Sequence, residues 1–142
     1  MRISALLCFV PLLCFGCLAQ KFDPDASSSD FITVGDGGGF TGLETTYYVL
    51  PNGQLYKRLG LGGKIEQMKR IDRGITNQLF SSCRDFNLVD YQYEQPGNAY
   101  RFLSVHFGGK INRITWAKGD PDLQPQCKQI YSLLIQIIQE QL

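Results

Sequence analysis

The sequence predicts an α+β domain in which two β-hairpins form an antiparallel sheet and two helices pack on one face of it, in the order ββαββα. Residues 45–59 and 99–117 each contain two runs of β-branched and aromatic side chains joined by a turn sequence. Residues 73–86 and 123–141 repeat apolar side chains every three or four positions, which is the spacing of one helical face. The chain has 142 residues, 44% of them hydrophobic and 19% charged, and this composition suits a single globular domain.

The first element, residues 1–19, is typical of a secretory signal peptide. Arg2 supplies a positive charge, and the apolar run after it is interrupted and shorter than the roughly 20 residues that span a bilayer. A glycine precedes Cys17, as in a bacterial lipobox, so cleavage there would leave Cys17 to carry a lipid anchor. Cleavage after Ala19, at the small-x-small sequence Cys17-Leu18-Ala19, would instead leave Gln20 as the first residue of a freely secreted protein. Both sites predict export, to the periplasm, the outer membrane or the outside of the cell.

Residues 20–30 are predicted to be a flexible tether, because this segment is polar and contains three serines and a proline. The single α+β domain then occupies residues 31–142. It opens on a short β-rich run at 31–34, which leads into a glycine-rich segment at 35–42.

The first predicted hairpin combines a strand at 45–50 with a returning strand at 54–59. The intervening Pro-Asn-Gly at 51–53 favours a tight turn, because proline presets φ and the other two residues tolerate left-handed backbone. Residues 60–71 hold several glycines, and they predict either a third strand or an irregular stretch.

The two helices are predicted from their caps and their apolar stripes. Asp72 is the predicted N-cap of a helix over 73–86, since an aspartate accepts a hydrogen bond from a backbone N–H of the first turn. The last helix is predicted over 123–141, where Pro125 is tolerable because it lies in the first turn. The stripe residues are Ile75, Leu79, Cys83 and Phe86 in the first helix and Cys127, Ile130, Tyr131, Leu134 and Ile138 in the second.

The second hairpin follows a predicted loop at 87–98. It joins strands at 99–107 and 111–117 through a turn that contains two glycines. Alternate residues of both strands are apolar, which predicts one face turned toward the core. These inward residues are Leu103, Val105 and Phe107 on the first strand and Ile114 and Trp116 on the second.

Two cysteines, Cys83 and Cys127, lie outside the leader. In an oxidising compartment such a pair favours one disulfide, which would close a 44-residue loop and contribute at most about 4 kcal/mol. Each cysteine lies on the apolar stripe of its helix, so their pairing is geometrically credible. Two buried thiols on packed helices remain the alternative.

Several functions are excluded by missing sequence features. Gly37, Gly39 and Gly42 match the dinucleotide-binding spacing, but a strand follows them where a helix N-terminus would have to hold the pyrophosphate.

Of fourteen basic residues only Arg2 lies in the leader, and the remaining thirteen balance thirteen acidic ones, so no basic field for nucleic acid is expected. No metal-binding spacing such as HExxH is present, and the sequence predicts neither a metal nor a cofactor.

His106 is the only histidine, and it leaves open a small hydrolase as the enzymatic alternative. The chain has no GxSxG sequence, and a triad would need this imidazole together with a serine and an acid. Asp120 and Asp122 could act as a general acid/base pair, but the proline between them favours their use in capping the last helix.

The glycine-rich segment admits two interpretations. In the first, the glycines permit a bend or bulge before the first hairpin, and Phe40 is buried as a plug. In the second, the segment protrudes as a recognition loop and Phe40 is the apolar anchor that enters a partner's cleft.

The run Gly38, Gly39, Phe40, Thr41 and Gly42, leading into a strand, resembles the opening of the emfourin family. Members of this family are small bacterial protein inhibitors of thermolysin-like metallopeptidases. The resemblance covers residues 36–142 and implies inhibition of such a peptidase. The apolar Phe40 ring among glycines leads to the hypothesis that this loop blocks the peptidase cleft. The resemblance also implies a strand, a helix, a strand pair and a C-terminal helix, here at 45–50, 72–86, 100–117 and 123–142.

The sequence therefore predicts an exported, non-catalytic protein-binding module of the bacterial cell envelope, with metallopeptidase inhibition as the activity that the resemblance implies. One alternative is an envelope lipoprotein with a structural or scaffold role, whose contact with the membrane is limited to a lipid on Cys17. The other alternative is a hydrolase that uses His106.

Overall fold

A computed structural model describes residues 21–142 as one sheet with two helices. The predicted signal peptide, its two cleavage sites and the lipid anchor at Cys17 lie outside the described residues. The elements are β1 Phe31–Gly38, β2 Thr45–Val49, β3 Leu55–Leu59, β4 Ile65–Gln67, α1 Arg73–Asp85, β5 Glu94–Gln95, β6 Ala99–Phe107, β7 Lys110–Ala117 and α2 Pro125–Gln139.

The sheet has seven strands in the order β4-β3-β2-β1-β6-β7-β5, and the predicted ββαββα arrangement of two hairpins is wrong. Five neighbouring pairs are antiparallel, whereas β5 runs parallel to β7, so the sheet is mixed. The main difference is β1, which continues through the glycines to Gly38 and lies at the centre of the sheet. It pairs with β2 on one side and with β6 on the other, and thereby joins the two halves of the chain.

The glycines of β1 leave room for aromatic side chains of β6. Gly35 pairs with Phe102, and a Cβ on Gly35 would lie 2.6 Å from the Phe102 ring. Gly37 pairs with Tyr100, whose hydroxyl would lie 2.7 Å from a Cβ there. The two rings therefore lie across the central strand and cover backbone that glycine leaves bare, which lets a glycine-rich segment act as a strand.

The remaining strands follow local turn signals. The predicted Pro-Asn-Gly turn joins β2 to β3, and Gly53 has the left-handed φ of +83° that a side chain would oppose. The stretch at 60–71 contains the short strand β4, which pairs with β3. A two-residue strand, β5, lies within the predicted loop at 87–98.

Both helices agree with their predicted bounds to within two residues. The Asp72 carboxylate accepts a hydrogen bond from the backbone N–H of Ile75 at 3.1 Å, so its predicted role as the N-cap of α1 is confirmed. Gln124 is the N-cap of α2 and makes no side-chain cap bond. The predicted capping role of Asp120 and Asp122 is wrong, because Asp120 accepts instead from the backbone of Asp122 within the preceding turn.

The hydrophobic core lies between the sheet and the two helices. Alternate residues of β1, among them Ile32 and Val34, share one buried cluster with the apolar stripe of α2 and with Leu79 and Cys83 of α1. The prediction that Ile75 and Phe86 belong to the buried stripe of α1 is wrong: they are 38% and 40% exposed, and Thr76 and Phe80 are buried instead. The predicted inward residues Leu103, Val105, Ile114 and Trp116 belong to the same cluster, and Phe107 packs against it.

Among residues 21–142 no helix lies on the other face of the sheet, and the segment at 21–30, which we call the arm, covers part of this face. The Phe22 ring stacks on Tyr56 with centroids 4.8 Å apart and meets the edges of Phe31 and Tyr48 at 5.7 Å. At the end of the arm, the Asp30 carboxylate accepts from Arg84 at 3.1 Å and from a backbone N–H of the β6–β7 turn at 2.9 Å. The predicted tether is thus held against the domain by an aromatic contact that its polar composition does not indicate.

Candidate functional site

The glycine loop, residues 39–44, connects β1 to β2 and projects from one end of the sheet. The Phe40 side chain is fully exposed, so the interpretation of this ring as a buried plug is wrong. Gly39 and Gly42, on either side of it, have φ of +70° and +61° and no atom within 4 Å of a would-be Cβ. The glycines therefore shape a projecting loop rather than a packed bend.

Three leucines lie at the same end of the sheet as Phe40. Leu43 belongs to the glycine loop, Leu59 ends β3 and Leu61 lies in the β3–β4 connection; they expose 52, 56 and 82% of their surface. The two loops are in contact, because the backbone N–H of Gly60 donates to the Glu44 carbonyl at 2.8 Å. We call Phe40, Leu43, Leu59 and Leu61 the apolar tip. An exposed group of large apolar side chains marks an interaction surface more often than isolated ones do.

The base of the loop is anchored through Glu44. Its carboxylate accepts hydrogen bonds from Arg113 at 2.7 Å, from the Tyr100 hydroxyl at 2.9 Å and from the Thr46 hydroxyl at 3.2 Å. Burial alone would raise the pKa of Glu44, but the hydrogen bond and charge of Arg113, with the other two donors, hold that pKa below its usual value. Glu44 is thus an ionised link between the loop and strands β2, β6 and β7.

Glu44 lies in no sequence motif that would mark it as a functional residue. Arg113 and Tyr100 lie 69 and 56 residues away in the chain, so no local pattern marks the three side chains as partners. A second hydrogen bond, from the Gly39 N–H to the Asn98 carbonyl at 2.6 Å, also anchors the loop, and its two residues are likewise far apart in the chain.

His106 lies on the helix-free face of the sheet beside Ser104, which is two residues earlier on β6. The Ser104 oxygen and the His106 Nε2 are 3.4 Å apart, but the serine hydroxyl donates to the Asn112 carbonyl at 2.9 Å. The imidazole stacks on Phe31 with ring centroids 3.8 Å apart, and burial lowers the pKa of His106. Within residues 21–142 no carboxylate is hydrogen-bonded to this imidazole, so the oriented base of a serine hydrolase is not assembled there.

Cys83 and Cys127 both lie in the core, where the structure records them as free thiols. Burial, together with the charge that a Cys127 thiolate would carry, raises the pKa of Cys83 to about 12. Burial also raises the pKa of Cys127 to about 11. The two sulfurs are close enough to influence each other, and the disulfide stays a prediction.

The described part of the chain has no cluster of three or more His, Cys, Asp or Glu side chains that could hold a metal ion. None of the helices in residues 21–142 is both long and apolar enough to cross a membrane.

Comparison with known proteins adds no relative. No protein-family model matches the chain, and a comparison with curated proteins finds no significant match. The resemblance to the emfourin family therefore rests on the sequence at 38–42.

Proposed function

We propose that this protein is an exported, non-catalytic protein-binding module whose apolar tip docks on another protein. The observation that carries the proposal is the fully exposed Phe40 ring on a glycine loop, beside three further exposed apolar side chains. The predicted signal peptide supports export. The resemblance at 38–42 supports a thermolysin-like metallopeptidase as the partner, with the loop occluding its substrate cleft.

The exposed aromatic ring favours binding because water is released when it enters an apolar cleft. Aromatic side chains dominate the free energy of binding at many protein interfaces, since they bury a large area with few rotatable bonds. We place Phe40 at the centre of this contact, because its side chain is fully exposed on a loop outside the paired strands. The leucines of the apolar tip would surround it and exclude water from the contact.

Anchoring of the loop base lowers the entropic cost of binding. The Gly39 N–H to Asn98 bond and the hydrogen bonds of Glu44 hold both ends of the loop in the unbound protein. A loop whose ends are already ordered loses less conformational freedom on binding than a disordered one does. Only the short segment around Phe40 is left to adapt to the partner.

The proposal predicts that Phe40→Ala weakens inhibition of a thermolysin-like metallopeptidase. Loss of a central aromatic contact costs about 2 kcal/mol or more, which corresponds to about a thirtyfold rise in Kd. The measurement is the cleavage rate of a protein substrate by purified thermolysin at increasing concentrations of the full chain or its variant, with Kd measured separately by biolayer interferometry.

The matched control is Leu133→Ala, which removes an exposed apolar side chain from α2, outside the apolar tip. We expect this variant to inhibit as the natural protein does. Failure of the natural protein to bind or inhibit the peptidase would remove this partner from the proposal. Equal inhibition by the Phe40→Ala variant would move the contact away from the glycine loop.

A further inference from the structure

The helix-free face of the sheet contains a pocket of about 240 Å³. Side chains of β1, β2, β3, β6 and β7 line it, together with Pro24 and Asp25 of the arm, Glu44 of the glycine loop and Leu61 of the apolar tip. The lining is mixed, because hydroxyl, guanidinium, imidazole and carboxylate groups lie next to apolar side chains such as Phe102 and Ile111. Such a combination of apolar surface with a few polar groups is typical of sites for small molecules.

Two buried polar atoms, on residues that line this pocket, have no hydrogen-bond partner among the described residues. They are the Tyr48 hydroxyl, on a residue only 3% exposed, and the Arg58 Nε. In residues 21–142 one further atom of this kind occurs, on Gln126 in α2. A buried donor without an acceptor costs about 1–3 kcal/mol, so two of them in one pocket indicate that an acceptor belongs there.

The charge in the pocket is unequally distributed between its two arginines. Arg113 is paired with Glu44 at 2.7 Å. Within residues 21–142 the one acidic partner of Arg58 is Asp25 of the arm, at 4.0 Å, and that aspartate side chain is 87% exposed. At this distance the pair is beyond hydrogen-bonding range, and an exposed carboxylate can be replaced with little loss. His106 adds no charge near neutral pH, since burial lowers its pKa.

We propose that this pocket binds a small monocarboxylate, with the Arg58 Nε and the Tyr48 hydroxyl as donors to the carboxylate and Asp25 as the group that the ligand displaces. Both unpartnered atoms are donors, so both can bond to an anionic oxygen. The bond from the Arg58 guanidinium to a carboxylate joins two charged groups and is the stronger of the two. Displacement of Asp25 leaves one uncompensated positive charge, on Arg58, and this charge matches a monoanion better than a phosphate dianion.

The pocket volume and lining restrict the rest of the ligand. A volume of about 240 Å³ lies below the range of about 300–1,000 Å³ for drug-sized ligands. Ile111, which is 68% exposed at the pocket, and the buried Phe102 favour a short apolar body attached to the carboxylate. Short-chain and simple aromatic carboxylates meet both conditions.

The experiment titrates the full chain with sodium propanoate, sodium benzoate and inorganic phosphate at constant ionic strength, and follows the Arg58 Nε–H signal by ¹H–¹⁵N NMR. We expect a saturable shift with a carboxylate and none with phosphate. Tyr48→Phe removes one unpartnered oxygen and keeps the ring, so it should fold and bind at least tenfold more weakly. Arg58→Gln should bind more weakly still, and Asp25→Asn more tightly, because a competing carboxylate is removed.

Arg73→Gln is the control, since it removes an exposed arginine on α1, and its affinity should equal that of the natural protein. Absence of saturable binding by both carboxylates, or unchanged affinity of the Tyr48→Phe protein, would overturn the proposal. Equally tight binding of phosphate would overturn the assignment to a monoanion, and an unchanged Asp25→Asn affinity would overturn the displacement. These measurements detect a small molecule and not peptidase inhibition, so they succeed or fail independently of the proposed function.

Discussion

Glu44 is the residue that holds the glycine loop to the sheet, and its ionised state is stabilised in the folded protein. Its side chain is 12% exposed and accepts from Arg113, Tyr100 and Thr46. A carboxylate whose pKa is lower in the folded state than in the unfolded state stabilises the fold above the unfolded pKa, here about 4.5. That contribution is lost as the pH falls through the folded pKa.

We therefore expect Glu44→Gln to lower the free energy of unfolding by about 1 kcal/mol at neutral pH. The substitution removes a charged acceptor from the buried Thr46 hydroxyl and the half-buried Tyr100 hydroxyl, whereas solvent screens the pair with Arg113, which is 42% exposed. The difference from the natural protein should shrink as the pH falls below about 4.5, where the carboxylate becomes protonated. Urea unfolding of both proteins across this pH range measures it. Glu66→Gln, at an exposed position of β4, is the control. A difference that stays constant with pH would show that the ionised carboxylate is not the stabilising group.

His106 provides a second test at the residue scale, and it is simple to read because the chain has one histidine. Burial beside Phe31 disfavours the imidazolium, so the pKa of His106 should lie below 6.5 in the folded protein. The unfolded chain then takes up the proton more readily, and this residue lowers stability as the pH falls through about 6.5.

The prediction is checked by NMR titration of the His106 ring signals in the folded protein and again in denaturant. The folded value should be the lower of the two. A folded pKa at or above the denatured one would show that the ring is hydrated or paired with an acid, and it would reopen the hydrolase alternative.

At the scale of single elements, helices were more predictable than the central strand. Asp72 caps α1 and Pro125 lies in the first turn of α2, and both signals depend only on neighbours in the chain. In contrast, the second half of β1 contains three glycines and an aspartate, which are all depleted in strands. This segment becomes a strand because β2 and β6 satisfy its backbone and because Phe102 and Tyr100 cover its glycines.

Cys83 of α1 and Cys127 of α2 belong to the same buried cluster, and their burial yields a prediction about their reactivity. Both thiols are buried and the pKa of each is raised, to about 12 for Cys83 and about 11 for Cys127. The native protein should therefore resist alkylation by iodoacetamide at neutral pH, because little thiolate is present and access is blocked.

Denaturation without a reductant should then expose two reactive thiols, counted by intact mass. Labelling that requires a reductant as well as denaturation would identify a Cys83–Cys127 disulfide in the exported protein. Rapid labelling of the native protein would contradict the buried positions of both sulfurs.

At the scale of the whole molecule, the two faces of the sheet are unlike. One face is covered by α1 and α2 and forms the core, whereas the arm covers only part of the other. The proposed carboxylate pocket lies on this second face, and the apolar tip lies at one end of the sheet. The helices thus stabilise the domain while two other surfaces remain accessible.

The arm also limits how far the domain could lie from a membrane. Phe22 packs on Tyr56, so a lipid on Cys17 would be joined to the folded part by the five peptide units between positions 17 and 22. Fully extended, these span at most about 18 Å. A lipidated form would therefore hold the domain close to the membrane surface, nearer than a free tether over residues 20–30 would allow.

The sequence by itself determined the two helices, the tight turn at 51–53 and the inward alternation of β6 and β7, since each depends on residues that are close along the chain. It also placed Phe40 among glycines, but it left open whether the ring is buried. Only the tertiary structure decided that β1 is the central strand, that Phe40 projects, and that Glu44 meets Arg113. These features depend on partners tens of residues apart, and only the pairing of the strands brings such partners together.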